Sequence, residues 1–113
     1  ALAMALERGP RLEHVFSSGV NVGFACIRGE ELELAVWERG AGFTEACGTG
    51  ATAAVAAARA SDRLVLPGVR VRQRGGDAVV AWTPRGEAVL EGMAHFVFSG
   101  NVFLDFPGGP GQQ

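Results

Sequence analysis

From residue 20 onward the chain alternates apolar and polar positions with period two. Val22, Phe24 and Cys26 fall on one face of an extended run, and after Arg28-Gly29-Glu30 a second run places Leu32, Leu34 and Val36 on one face with Glu31 and Glu33 opposite. The two runs predict a β-hairpin. Ahead of them, apolar Leu2, Met4, Ala5 and Leu6 predict a short helix over Ala1 to Arg11, broken at Gly9-Pro10. A glycine-rich loop, Gly40 to Gly50, leads into Ala51 to Ala60, a helix apolar nearly all round except at Thr52 and Arg59, which expects burial on every side. Strands resume with Val69 to Arg72 and Ala78 to Trp82, joined across Gly75-Gly76-Asp77. Ala88 to Leu90 and His95 to Phe98 predict a further pair, Val102 to Phe106 a last short strand, and Pro107 to Gln113 a flexible tail. The expected fold is α+β: a curved, mostly antiparallel sheet wrapped around one central apolar helix, whose alanines let strand backbones approach closely.

At 113 residues the chain holds one core, and it has no internal repeat and no linker. Ten basic and twelve acidic side chains leave a net charge of −2, with no basic cluster to follow a phosphate backbone, so nucleic acid is not an expected partner. The uncharged run Ala46 to Ala58 is too short to span a bilayer, and the N-terminus lacks the basic-then-apolar pattern of a signal peptide. A soluble, cytoplasmic protein that does not engage membranes is expected. All ten basic residues are arginines, so without lysine the chain forms no Schiff base with pyridoxal phosphate or a substrate. Tyrosine is missing as well, which leaves carboxylates, His14, His95, Cys26 and Cys47 as proton-transfer groups. Two isolated cysteines build neither a zinc site nor a disulfide framework, and no metal is expected.

The chemistry concentrates in Ala46-Cys47-Gly48-Thr49-Gly50. A helix start carries unpaired N–H groups and partial positive charge, and glycines let a ligand reach that backbone. The same field favours thiolate over thiol, so this segment can hold a carboxylate and present a base to the carbon beside it. The competing reading of either cysteine is a small buried apolar residue. Cys26, inside a strand, takes that reading; Cys47 stays open between the two. Gly48-x-Gly50-x-x-Ala53 also fits the loose dinucleotide fingerprint, but ten residues separate Trp37 from Gly48 and no acidic residue follows at the required spacing. Nothing local brings His14 or His95 to Cys47, so a cysteine-protease arrangement is not expected. Glu38 and Arg39 are either a surface ion pair or a clamp for a zwitterionic group, and Asn21 either closes a turn or orients such a group.

These residues carry a resemblance. Asn21-Val22, Glu38-Arg39-Gly40 and Ala46-Cys47-Gly48-Thr49-Gly50-Ala51, with Gly9-Pro10-Arg11-Leu12-Glu13-His14 and Phe98-Ser99-Gly100, resemble the C-terminal part of the diaminopimelate epimerase family across nearly the whole chain. The resemblance implies a two-lobed fold of strands around central helices, with residues 1–106 as an incomplete second lobe. It implies an isomerase: cofactor-independent inversion of the α-carbon of LL-diaminopimelate to the meso form, on the route to lysine and peptidoglycan. In that family two cysteines work on opposite faces of the carbon. Cys47 matches one of them, Gly48 and Thr49 match positions whose amides hold the reacting carboxylate, and Asn21, Glu38 and Arg39 match residues that recognise the distal amino-acid end. Phe43 stands where the family carries a glutamate, the first lobe is missing, and Cys26 does not match the partner cysteine.

A single thiol serves one face of a carbon, so this polypeptide alone is expected not to epimerise at an enzymatic rate. Bare apolar surface from the missing N-terminal lobe is expected to cause aggregation, homodimerisation or dependence on the rest of the protein. The alternatives are an amino-acid racemase or phenazine-type isomerase of the same fold, against which Glu38-Arg39 argues, and a non-catalytic anion-binding or interaction domain.

Overall fold

The computed structural model describes residues 1–105. Its elements run α1 (Leu2–Glu13), β1 (Val22–Arg28), β2 (Glu31–Glu38), β3 (Gly42–Thr44), α2 (Gly48–Ala60), β4 (Gly68–Gln73), β5 (Gly76–Trp82) and β6 (Ala88–Gly92). The six strands form one mixed sheet in the order β1-β2-β4-β5-β6, with β3 beside β2. The expected hairpin is β1–β2, in register from Val22↔Trp37 to Arg28↔Glu31 around Gly29, which takes φ +64°. The other edge of β2 is shared: β4 pairs in parallel at Glu31 to Glu33, and β3 pairs antiparallel at Val36 to Glu38. A parallel neighbour needs a crossover, and α2 supplies it. The remaining pairs, β4–β5 and β5–β6, are antiparallel.

Strand parity divides the sheet into two faces. Leu32, Leu34 and Val36 share one face with Val69, Val71 and Val80, and together with Ala51, Val55, Ala58 and Leu64 they form the core beneath α2. The opposite face of β2 carries Glu33, Ala35 and Trp37, and α1 packs there. Gly9 lies so close to Trp37 that a Cβ would stand 2.5 Å from its Cγ, and Glu13 Oε1 accepts from Trp37 Nε1 at 2.7 Å.

Several expectations change. The first helix does not break at Gly9-Pro10 but continues to Glu13. Proline in a helix interior costs about 3 kcal/mol. Trp37 holds the helix at Gly9 and at Glu13, on both sides of that defect. The Gly40–Gly50 loop contains β3, and α2 begins at Gly48 rather than Ala51, because Cys47 caps it. Two helices on opposite faces replace a sheet wrapped round one. Nor is α2 buried all round: Ala51, Val55 and Ala58 are buried, whereas Ala53, Ala57 and Ala60 are exposed. β6 pairs with β5, and His95 to Phe98 is not a strand; neither is Val102 to Asp105. Their alternation suits a strand, but a strand needs a facing edge, and Phe96, Phe98 and Phe103 stand in solvent, the last 96% exposed. Phe106 and the 107–113 tail lie outside the described residues. Among the described residues no helix is long and apolar enough to cross a membrane.

Candidate functional site

Cys47 occupies the N-cap of α2 in extended backbone, φ −144°, ψ 110°. Its Sγ accepts from the Gly50 N–H at 3.3 Å and lies 3.5 Å from Thr49 Oγ1, while its carbonyl accepts the first helical N–H, that of Ala51, at 2.9 Å. The thiol thus satisfies one amide of the first turn, as a capping serine would. The amides of Gly48 and Thr49 have no acceptor within the helix. The turn is crowded, with least room to give at Gly50, which faces the buried Val36. A Cβ on Gly48 would lie 2.7 Å from Leu90 Cδ2, and one on Gly50 would lie 2.8 Å from Val36 Cγ2. Cys47 is 8% exposed and belongs to the apolar core. Its hydrogen-bond partners Thr49 and Gly50, rather than Cys47 itself, reach open space.

That space is a cleft of about 490 Å³ along the uncovered side of α2. Ala53, Ala57 and Ser61 form one wall, and Gly23, Ala25 and Ile27 of β1 the other. Asn21 stands with Thr49 and Gly50 at the end where α2 begins. Asn21 Oδ1 accepts the Arg39 backbone N–H at 2.7 Å, which fixes the close of β2 against the start of β1. The Arg39 guanidinium turns away from Glu38 and donates from Nη1 to the Ser18 carbonyl at 3.2 Å, its stem lying over Gly19. Glu38 and Arg39 form no ion pair. Glu38 is half-buried, two residues beyond Val36 and so on the α2 face of the sheet.

The structure therefore joins Cys47, Gly48 and Thr49 in one helix start, places Asn21 across a cleft from Thr49, and links Asn21 to Arg39. Cys26 pairs with Glu33 on the α1 face, on the other side of the sheet from Cys47. His14 stands 3.5 Å from Glu13 on the surface, and His95 is exposed. Among the described residues no cluster of His, Cys, Asp or Glu could hold a metal. One buried side-chain polar atom among them lacks a hydrogen-bond partner, Thr44 Oγ1, three residues before Cys47.

Sequence reading missed Gln73, whose Oε1 accepts the Cys47 N–H at 2.8 Å. The signal was present in the parity of β4, where Val69 and Val71 point to the core and the next position on that face is a carboxamide.

Comparison with known proteins places these features in a family. Residues 4–97 match the family model described as diaminopimelate epimerase. The chain is 50% identical over 105 residues to the diaminopimelate epimerase of Sphingopyxis alaskensis, covering 88% of this chain and 38% of the relative. It is 45% identical over 103 residues to that of Cupriavidus necator, covering 88% and 35%. For that of Bacillus subtilis strain 168 the figures are 40% over 111 residues, 91% and 36%. The chain spans little more than a third of the length of these curated relatives.

Proposed function

Since the chain belongs to the diaminopimelate epimerase family, we propose that it supplies one acid/base thiol and part of the substrate site for cofactor-independent epimerisation of LL-diaminopimelate to meso-diaminopimelate. The observation that carries the reading is the Cys47 thiol at the mouth of α2, 3.3 Å from the Gly50 amide. As a thiolate there, Cys47 takes the α-proton from one face of the substrate, and the electron pair left on carbon is drawn toward the adjacent carboxylate. The Gly48 and Thr49 amides, with no helical acceptor, hold that carboxylate. A second thiol then delivers a proton to the opposite face. Cys26 faces the other side of the sheet, so the second thiol comes from outside this chain. Glu38 meets the distal ammonium, and Asn21 and Arg39 meet the distal carboxylate.

The partner in this reading is the N-terminal lobe of the same enzyme. Strands supplied by the rest of the protein would cover the cleft along α2 and make it the central helix of a closed lobe. They would also pair with the apolar stretch around Phe96 and Phe103. The enzyme works in the cytoplasm, as biosynthesis of lysine requires.

Incubation with LL-diaminopimelate in heavy water tests the reading. The full-length protein is expected to incorporate α-deuterium and form the meso isomer; the 113-residue chain alone is expected to do neither. Turnover by the isolated chain, or no exchange by the full-length protein, would overturn it.

A further inference from the structure

The β4–β5 turn is fastened to the loop that carries Cys47 at three points. Gln73 Oε1 accepts the Cys47 N–H at 2.8 Å, the Gly75 N–H donates to the Glu45 carbonyl at 2.7 Å, and Arg74 Nε stands 3.7 Å from Glu45 Oε2. The approach is too close for a side chain at residue 75, since a Cβ there would lie 2.9 Å from Glu45 Cβ. An N-cap residue stands outside the helix ladder, so its own N–H is held by no helical bond. Here both peptide groups flanking the Cys47 Cα are held: the N–H by Gln73, the carbonyl by the Ala51 N–H at 2.9 Å. What remains free is rotation about χ1, and the Gly50 N–H restrains that through Sγ.

We propose that Gln73 is a positioning residue for the Cys47 thiol, and that the β4–β5 turn is the clamp through which the sheet sets the thiol's place at the helix mouth. The proposal rests on the function above for what the thiol does; the clamp itself does not depend on it. Without the carboxamide acceptor, the Cys47 peptide can rotate and carry Sγ away from the Gly50 amide. Proton transfer depends on placement at the ångström scale, so the loss falls on the chemical step more than on substrate binding.

The test uses the full-length protein with Gln73→Leu, which keeps bulk and removes the acceptor. Two quantities are read: steady-state epimerisation, and the rate of Cys47 alkylation by iodoacetamide at one fixed pH, followed by the mass of its peptide. Gln73→Leu is expected to lower kcat about tenfold, the scale of one hydrogen bond, with KM within about threefold. It is also expected to change the alkylation rate by more than about threefold, because the thiol leaves its place at the helix mouth. If the leucine variant does not fold, Gln73→Met, flexible and equally without the acceptor, takes its place. An unchanged kcat and alkylation rate in the acceptor-free variant, or a KM raised as much as kcat falls, would overturn the proposal. If the parent protein exchanges no α-proton yet Gln73→Leu changes the alkylation rate, the functional reading fails and the clamp stands.

Discussion

Gly50 on α2 and Val36 on β2 meet so closely that a Cβ on the glycine would lie 2.8 Å from Val36 Cγ2. The same residue donates its N–H to Cys47 Sγ, so the contact that seats the helix on the sheet also fixes the thiol's partner. Gly50→Ala therefore sets two effects against each other. Alanine gains about 1 kcal/mol of helix propensity, and overpacking costs about 1–3 kcal/mol. The expected outcome is net destabilisation of the full-length protein, read as a lower urea midpoint, with a loss of activity larger than that loss of stability explains.

Cys47 caps α2, and in the proposed function it is also the acid/base thiol; the two roles are separable. Serine keeps an oxygen that can cap the Gly50 N–H but is a far weaker acid, scarcely ionised near neutral pH, so Cys47→Ser in the full-length protein is expected to lower kcat by about 10²–10⁴-fold with little change in the urea midpoint. Cys47→Ala removes the cap as well and is expected to lose a further ~1 kcal/mol of stability. A serine variant with near-parental turnover would remove Cys47 from the mechanism.

Glu38 is half-buried on the α2 face and makes no ion pair with Arg39. In the proposed function its carboxylate meets the distal ammonium of the substrate. Glu38→Gln is expected to raise KM for diaminopimelate on the order of tenfold, the scale of one charge-assisted contact, with kcat changed less. An unchanged KM would return Glu38 to a surface role.

The stretch from Met93 to Leu104 exposes Phe96, Val97, Phe98, Val102, Phe103 and Leu104. The isolated 113-residue chain is expected to associate through it. Sedimentation velocity on the chain with Phe96→Ser and Phe103→Ser should show less association than on the parent. A parent that remains monomeric at tens of micromolar would oppose this.

The hairpin of β1 and β2, the β4–β5 pair and the thiol at the start of an alanine-rich helix were legible in the chain itself. Each rests on a signal spanning a few residues: apolar alternation at Leu32, Leu34 and Val36, glycines at a turn, or a cysteine just ahead of Gly48-Thr49-Gly50. The family resemblance rests on the same short runs. Other features required residues far apart in sequence. Trp37 carries α1 past Pro10 from 27 positions away, a distance at which no local pattern reports. Gln73 reaches Cys47 because β4 lies parallel to β2 and α2 crosses between them, a topology that periodicity cannot distinguish from a simple meander. Period-two alternation at Phe96 and Phe98 set a strand's faces but supplied no neighbouring edge. The sequence by itself determined which segments favour helix or strand and where the thiol stands along the chain, because those preferences arise in the local backbone. Only the tertiary structure decided which face of the sheet each helix covers, which strand closes on which, and what holds the thiol in place, because those outcomes depend on contacts made after distant segments meet.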